Sequence, residues 1–195
     1  MAERRAAFLE AGFELIGTEG YRAATVRAVC KQAGDTDRYF YQLFGSTEGL
    51  LLAVYTQVSE RLKQALITAM ESAEPAIEAR SEAGLVAFFR FMRDPRNARI
   101  MMSEILGVSD EITALYMRTV VEFADLLMAA TAPLAPAMAE PREDAAIFGQ
   151  SLVGAVIYAA GSWAMTGYRQ PEASVIRSCQ SILIGALKQR LDETR

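Results

Sequence analysis

The placement of proline constrains this chain more than any other feature. Its six prolines stand at 75, 95, 133, 136, 141 and 171, each between two long apolar patterns and none inside one. Proline locks φ, lacks a backbone N–H and costs about 3 kcal/mol in a helix interior. Its confinement to the gaps predicts an all-α chain cut into helices. No stretch alternates apolar and polar residues with a period of two, so no sheet is expected. The spacing predicts nine helices, over about 4–17, 26–33, 37–44, 47–72, 76–93, 96–106, 110–130, 143–167 and 172–192. Thr131 to Arg142, "TAPLAPAMAEPR", is the one clear loop. The first three helices are short and joined by tight turns, and the rest are long. We therefore expect an N-terminal domain over 1–47 and a helical bundle over 48–195, joined by the long fourth helix.

Composition narrows the chemistry. The chain has 195 residues, is 52% hydrophobic and carries a net charge of −4, enough apolar mass to bury a core and too little charge for disorder. It contains no histidine, which removes Ser-His and Cys-His catalysis and most zinc sites. No C-x-x-C pair, phosphate-binding loop or dinucleotide fingerprint is present. No catalytic residue, metal or cofactor is predicted, and the chain is not expected to be an enzyme. The two cysteines, Cys30 and Cys179, are far apart, which fits a reducing cytoplasm better than a disulfide scaffold. Glu3, Arg4, Arg5, Glu10 and Glu14 break up the N-terminus, so it does not read as a signal peptide. Ala145 to Tyr168 is 24 residues without a charge, long enough to span a bilayer. Polar Gln150, Ser151 and Ser162, three glycines and the lack of flanking cations favour a soluble helix buried on all sides, with a membrane span as the alternative.

The stretch "TVRAVCKQAGDTDRYFYQLFGSTEGL", residues 25–50, reads as two short helices and a cap. Thr25 can cap a helix whose Val26, Val29, Cys30 and Ala33 form one buried stripe. On that stripe Cys30 reads as a small core residue rather than a redox switch. Gly34 can close the helix in the left-handed conformation. On a wheel of the second helix, Phe40, Leu43 and Phe44 cluster on one side. Asp37, Arg38, Tyr41 and Gln42 cluster on the other, with Tyr39 at the edge. Two short helices with a tight turn and a polar second face describe a helix-turn-helix, whose second helix enters a major groove. Ser46 caps the next helix, and free amides there and at Thr25 suit phosphates. Short helix pairs with aromatic anchors also occur in domains that bind no DNA. Charge does not separate the two readings, because residues 1–47 hold six basic and six acidic residues.

The stretch "AGFELIGTEGYRAATVRAVCKQAGDTDRYFYQLFGSTEGLL" resembles the N-terminal DNA-binding domain of the TetR family of transcriptional regulators. The resemblance rests on Gly20-Tyr21, Thr25-Val26, Ala33-Gly34, Tyr41, Phe44 and Ser46-x-Glu48-x-x-Leu51. It implies a homodimer reading a palindromic operator in double-stranded DNA, and a C-terminal domain whose small ligand releases the DNA. Carried over by position, Thr25, Arg27, Thr36, Arg38, Tyr41, Gln42 and Thr47 would lie near DNA, with Asp37 on the same face. Asp35, Leu43 and Thr47 depart from the family's usual aliphatic, histidine-like and lysine residues. The lost lysine and the zero charge balance predict modest affinity and a shallow salt dependence. Arg38 is the candidate for base readout, since a guanidinium can pair with guanine. The alternative is an internal pair with Asp35 or Asp37.

In the C-terminal part, residues 86–128 hold Phe88, Phe89, Phe91 and Phe123 and five of the nine methionines. Flexible, polarisable methionines suit an adaptable apolar pocket, although an ordinary core reads the same way residue by residue. The resemblance favours a ligand cavity, with Phe88, Met92, Met101, Met102, Ile105, Tyr116, Phe123 and Trp163 as its candidate lining and an apolar or aromatic effector. Glu104 is expected to contact the cavity or face water. Small residues Ser151, Gly154, Ala155, Ala159 and Ser162 would let another helix approach closely. The last helix shows two stripes, Val175/Cys179/Ile182/Ala186 and Ile176/Leu183/Leu187. Both features predict a two-fold interface through helices 143–167 and 172–192. The competing reading is a helical ligand-binding or scaffold protein with a weakened DNA-binding domain.

Overall fold

Proline and capping residues cut the chain as the spacing predicts. The computed structural model describes residues 1–105, 107–134 and 144–192. Among the described residues the fold is all-α, with nine α-helices: α1 Ala2–Glu19, α2 Val26–Ala33, α3 Asp37–Phe44, α4 Thr47–Glu71, α5 Ile77–Met92, α6 Pro95–Met102, α7 Asp110–Thr131, α8 Ala145–Met165 and α9 Glu172–Asp192. Single 3-10 turns cover Tyr21–Ala23 and Ala132–Leu134. α2, α3 and α9 have their predicted bounds, whereas α6 stops at Met102, short of the predicted 106. Leu106, Glu143 and the predicted loop beyond Leu134 lie outside the described residues. α6 illustrates the local logic: Asp94 caps it by accepting from the Arg96 amide at 3.0 Å, and Pro95 occupies the first turn, where no N–H is needed.

The chain groups into two compact units, Met1–Arg61 with Asp94–Leu115, and Leu62–Arg93 with Tyr116–Arg195. Both α4 and α7 begin in the first unit and end in the second. In the first unit, α1 packs against α2 and α6 around Phe8, Ile16, Val29, Phe40, Leu51 and Ile100. A Cβ at Gly17 would stand 2.5 Å from the Arg96 Cβ, so α6 approaches α1 closely enough to require glycine there. Polar contacts lock the same approach. Arg96 donates to Asp94 at 2.7 Å and also to Glu14 of α1. Arg99 donates to Glu104 at 2.9 Å, and Glu104 accepts from the Tyr21 amide at 2.8 Å. Glu104 thus ties together three segments of the first unit.

In the second unit, α5 packs against α9, and α8 packs against both. An aromatic series joins Phe88 to Phe89 at 5.3 Å, Phe89 to Trp163 at 5.7 Å and Trp163 to Tyr168 at 4.8 Å. Tyr168 adopts φ 57, a left-handed conformation rare for a bulky residue. It is held there by donating its hydroxyl to the Met92 carbonyl at 3.1 Å.

α8 departs from expectation. It is long and apolar enough to cross a membrane, with mean hydropathy 1.4, but it is not buried on all sides. Gly149, Leu152, Ala160 and Trp163 face the unit, while Ile147, Tyr158 and Met165 are exposed, the last two by 80% and 89%. One side of α8 has neighbours in the unit, and the opposite side has none among the described residues. α9 also sorts its stripes differently. Ile176, Cys179, Leu183 and Leu187 are buried together, and Ile182 lies exposed on the other side.

Candidate nucleic-acid interface

The interface begins with the turn between α2 and α3. The Thr25 hydroxyl accepts from the Ala28 amide at 3.2 Å and starts α2. Gly34 ends it at φ 67 with its amide on the Cys30 carbonyl, which turns the chain sharply. Asp35 Oδ1 then accepts from the Thr36 amide at 2.8 Å, and Asp37 Oδ1 from the Arg38 amide at 2.8 Å. Two carboxylates therefore serve the first free amides of α3, and the N-cap Thr36 makes no side-chain cap itself.

Asp35 has a second partner. Its Oδ2 is bonded to the Arg4 guanidinium of α1, and Arg4 lies 3.6 Å over the Tyr39 ring. An aspartate at this position is thus neutralised and used to fasten α1 to the turn. Phe40 is 0% exposed and meets Phe8 edge-on at 5.8 Å, with Phe44 at 5.6 Å. These rings hold the inner side of α3. On its outer side Thr36, Asp37, Arg38, Tyr41 and Gln42 are all exposed, Tyr41 by 54%. Among the described residues the Arg38 guanidinium makes no ion pair, so the alternative pairing with Asp35 or Asp37 is absent. Arg27 and Lys31, four residues apart on α2, are likewise exposed and unpaired, as is Arg22.

At the start of α4, the Ser46 hydroxyl accepts from the Gly49 amide at 3.0 Å. Thr47 is half-buried, and its hydroxyl shares a 3.3 Å hydrogen bond with the Tyr21 hydroxyl. Cys30 is half-buried, and burial, then the charges of Asp37 and Asp35, push its thiol up. It therefore stays protonated at neutral pH, which suits a core residue. A groove of about 560 Å³ in the same unit runs along Arg5, Leu9, Leu43, Phe44 and Leu52 and includes none of the predicted contact residues.

Sequence reasoning brought Thr25, Arg27, Thr36, Asp37, Arg38, Tyr41, Gln42 and Thr47 to one two-helix segment and its flanks. It missed the Arg4–Asp35 tie, which spans 31 positions and leaves no local periodic trace. The predicted ligand residues do not all share a unit. Phe88, Met92, Tyr116, Phe123 and Trp163 belong to the second, and Met101, Met102 and Ile105 to the first. Phe88, Met92 and Trp163 are buried, while Tyr116 and Phe123 are half-buried.

Residues 8–54 match the family model of bacterial regulatory proteins, tetR family. No curated protein matches the chain. Among solved structures, a candidate transcriptional regulator from Pseudomonas aeruginosa PAO1 is similar at 18% identity and TM-score 0.80, covering 100% of this chain and 95% of its own. The fatty acid degradation regulator FadR from Bacillus halodurans is similar at 18% identity and TM-score 0.78, covering 93% and 95%. FadR from Bacillus subtilis, solved in complex with stearoyl-CoA, is similar at 15% identity and TM-score 0.78, covering 93% and 98%.

Proposed function

We propose that the chain, whose residues 8–54 match the model of bacterial regulatory proteins, tetR family, is a repressor of that family that binds a palindromic operator as a homodimer and leaves it when a small apolar effector binds. It is a regulator and not an enzyme. The observation that carries the reading is the outer side of α3. Its rings are sealed inward at Phe40, and an uncompensated guanidinium stands outward beside Tyr41 and Gln42. Arg38 reads guanine through paired hydrogen bonds, and Tyr41 and Gln42 contact the adjoining bases or backbone. The starts of α2 and α4 and the cations Arg22, Arg27 and Lys31 hold phosphates. Thr36 and Asp37 set the start of α3, and Thr47 acts through its bond to Tyr21.

The partner that completes the reader is a second copy, seated on the open side of α8 and on α9 at Ile182. The effector enters the second unit beside Phe88, Met92, Tyr116, Phe123 and Trp163. That a Bacillus subtilis neighbour was solved in complex with stearoyl-CoA supports an effector with an apolar chain. Release requires that the effector bind the DNA-free state more tightly than the DNA-bound one. The protein acts in the cytoplasm, where its operator is.

The test is selection of bound sequences from a random DNA pool, followed by mobility-shift titration of the selected palindrome. Arg38→Ala should weaken the selected site by about tenfold or more, in line with about 1–3 kcal/mol for a paired base contact, and weaken random DNA far less. Equal loss on both would remove the base-reading role. Failure to select any palindrome would remove the function.

A further inference from the structure

The second unit contains two polar groups that its fold leaves unused. Arg80 and Ser81 are consecutive on α5. Ser81 is 6% exposed, and its hydroxyl has no hydrogen-bond partner among the described residues. Helical serines normally spend that proton on the carbonyl four residues back. Ser151, Ser178 and Ser181 all do so here. The Arg80 side chain donates Nη1 to the Ala130 carbonyl of α7 at 3.0 Å, while its buried Nε has no partner. No carboxylate neutralises it among the described residues, and nearby Glu78 is bonded to Lys188. A half-buried cation with a buried idle N–H, one position along the helix from a buried idle hydroxyl, is costly unless something else occupies them.

The neighbours of this pair are apolar. Ser81 heads a buried stripe that continues through Leu85, Phe88 and Met92, a run of about 16 Å at the helical rise. Gly84 lies on the same buried side, where a Cβ would stand 3.4 Å from the Met70 side chain, and a flexible methionine can move aside for a guest.

We propose that Arg80 and Ser81 are the head-group site for an anionic amphiphile. Its carboxylate accepts from Arg80 Nε and Ser81 Oγ, and its apolar chain lies along Leu85, Phe88 and Met92. This rests on the effector reading above and adds the chemical class: a carboxylate with a medium-length apolar tail, not a neutral hydrocarbon. The guanidinium supplies charge-assisted donation, which a neutral head group cannot exploit equally.

Trp163 is the only tryptophan in the chain and sits edge-on to Phe89 in this unit, so its emission reports on the site. The full-length protein is titrated with decanoate and with decanol, which share a tail and differ in the head group. Decanoate should bind about tenfold or more tightly than decanol. Arg80→Gln should bring the two affinities together by weakening decanoate alone. Ser81→Ala, which leaves the bond to Ala130 in place, should weaken decanoate about threefold to tenfold without touching decanol. Equal affinities in the unmutated protein, or an unchanged preference in Ser81→Ala, would overturn the head-group site while leaving an apolar effector site standing. Absence of binding by either probe at millimolar concentration would overturn both. Operator binding, read separately, would be unaffected by any of these outcomes.

Discussion

Phe40 is the residue that lets α3 present a polar side at all. Its ring is fully enclosed by Phe8, Phe44 and the base of Tyr41. Phe40→Ala should cost about 3–5 kcal/mol, read from the urea midpoint, because the removed ring leaves a cavity that three other rings cannot refill. Asp94 offers a finer test of charge. The hydrogen bond from Arg96 holds its carboxyl below the ordinary 3.8, with partial burial opposing. Its contribution is present in full above about pH 4 and is lost as the pH falls through the lowered value. Asparagine keeps the cap through its one oxygen and removes the charge together with the oxygen that accepts from Arg96 Nη2. Asp94→Asn should therefore lower the melting temperature by about 2–4 °C or less at pH 7. The gap between the two proteins should narrow as the pH falls below the ordinary carboxylate range. A gap that stayed constant with pH would assign the effect to geometry instead.

At the scale of elements, the turn between α2 and α3 sets where the outer side of α3 points. Gly34 adopts a left-handed φ of 67 with open space where a Cβ would sit, so the only penalty for a side chain there is backbone strain. Gly34→Ala should cost about 1–2 kcal/mol in chemical unfolding. It should weaken operator binding more than Thr25→Ala, which loses only a cap. The helices themselves were legible because proline, caps and apolar stripes are local signals. α2 and α3 could be placed from Thr25, Gly34 and the Phe40/Phe44 spacing alone. The assembly of α6 with α1 was not legible. It depends on Arg96 reaching Glu14 across 82 positions and on a glycine that admits α6. The same limit applied to Asp35, read only as a departure from an aliphatic residue, which in the fold is spent on Arg4. Cys179 was assigned to the wrong stripe of α9 because a two-sided helix offers no internal mark of which side is its own core.

At the scale of the whole molecule, the open side of α8 exposes Ile147, Tyr158 and Met165, a run of large apolar residues. Ile147, Ser151, Gly154, Tyr158, Ser162 and Met165 recur at helical spacing and are all exposed. A single chain gains nothing by showing such a stripe to water. Two copies related by a two-fold axis would cover it, with Gly154 letting the helices close in, since no neighbour lies within 4 Å of its missing side chain. Tyr158 stands near the middle of that stripe, so Tyr158→Glu would place a charge opposite its own symmetry mate. Sedimentation velocity at micromolar concentration should find a dimer for the parent chain and a monomer for Tyr158→Glu, with an unchanged helical circular dichroism spectrum. The monomer should lose most of its affinity for a palindrome but keep its weak binding to a half-site, because linking two readers raises affinity without new contacts. A parent chain that sediments as a monomer, or that partitions into membranes on fractionation, would assign the stripe on α8 to a different cover.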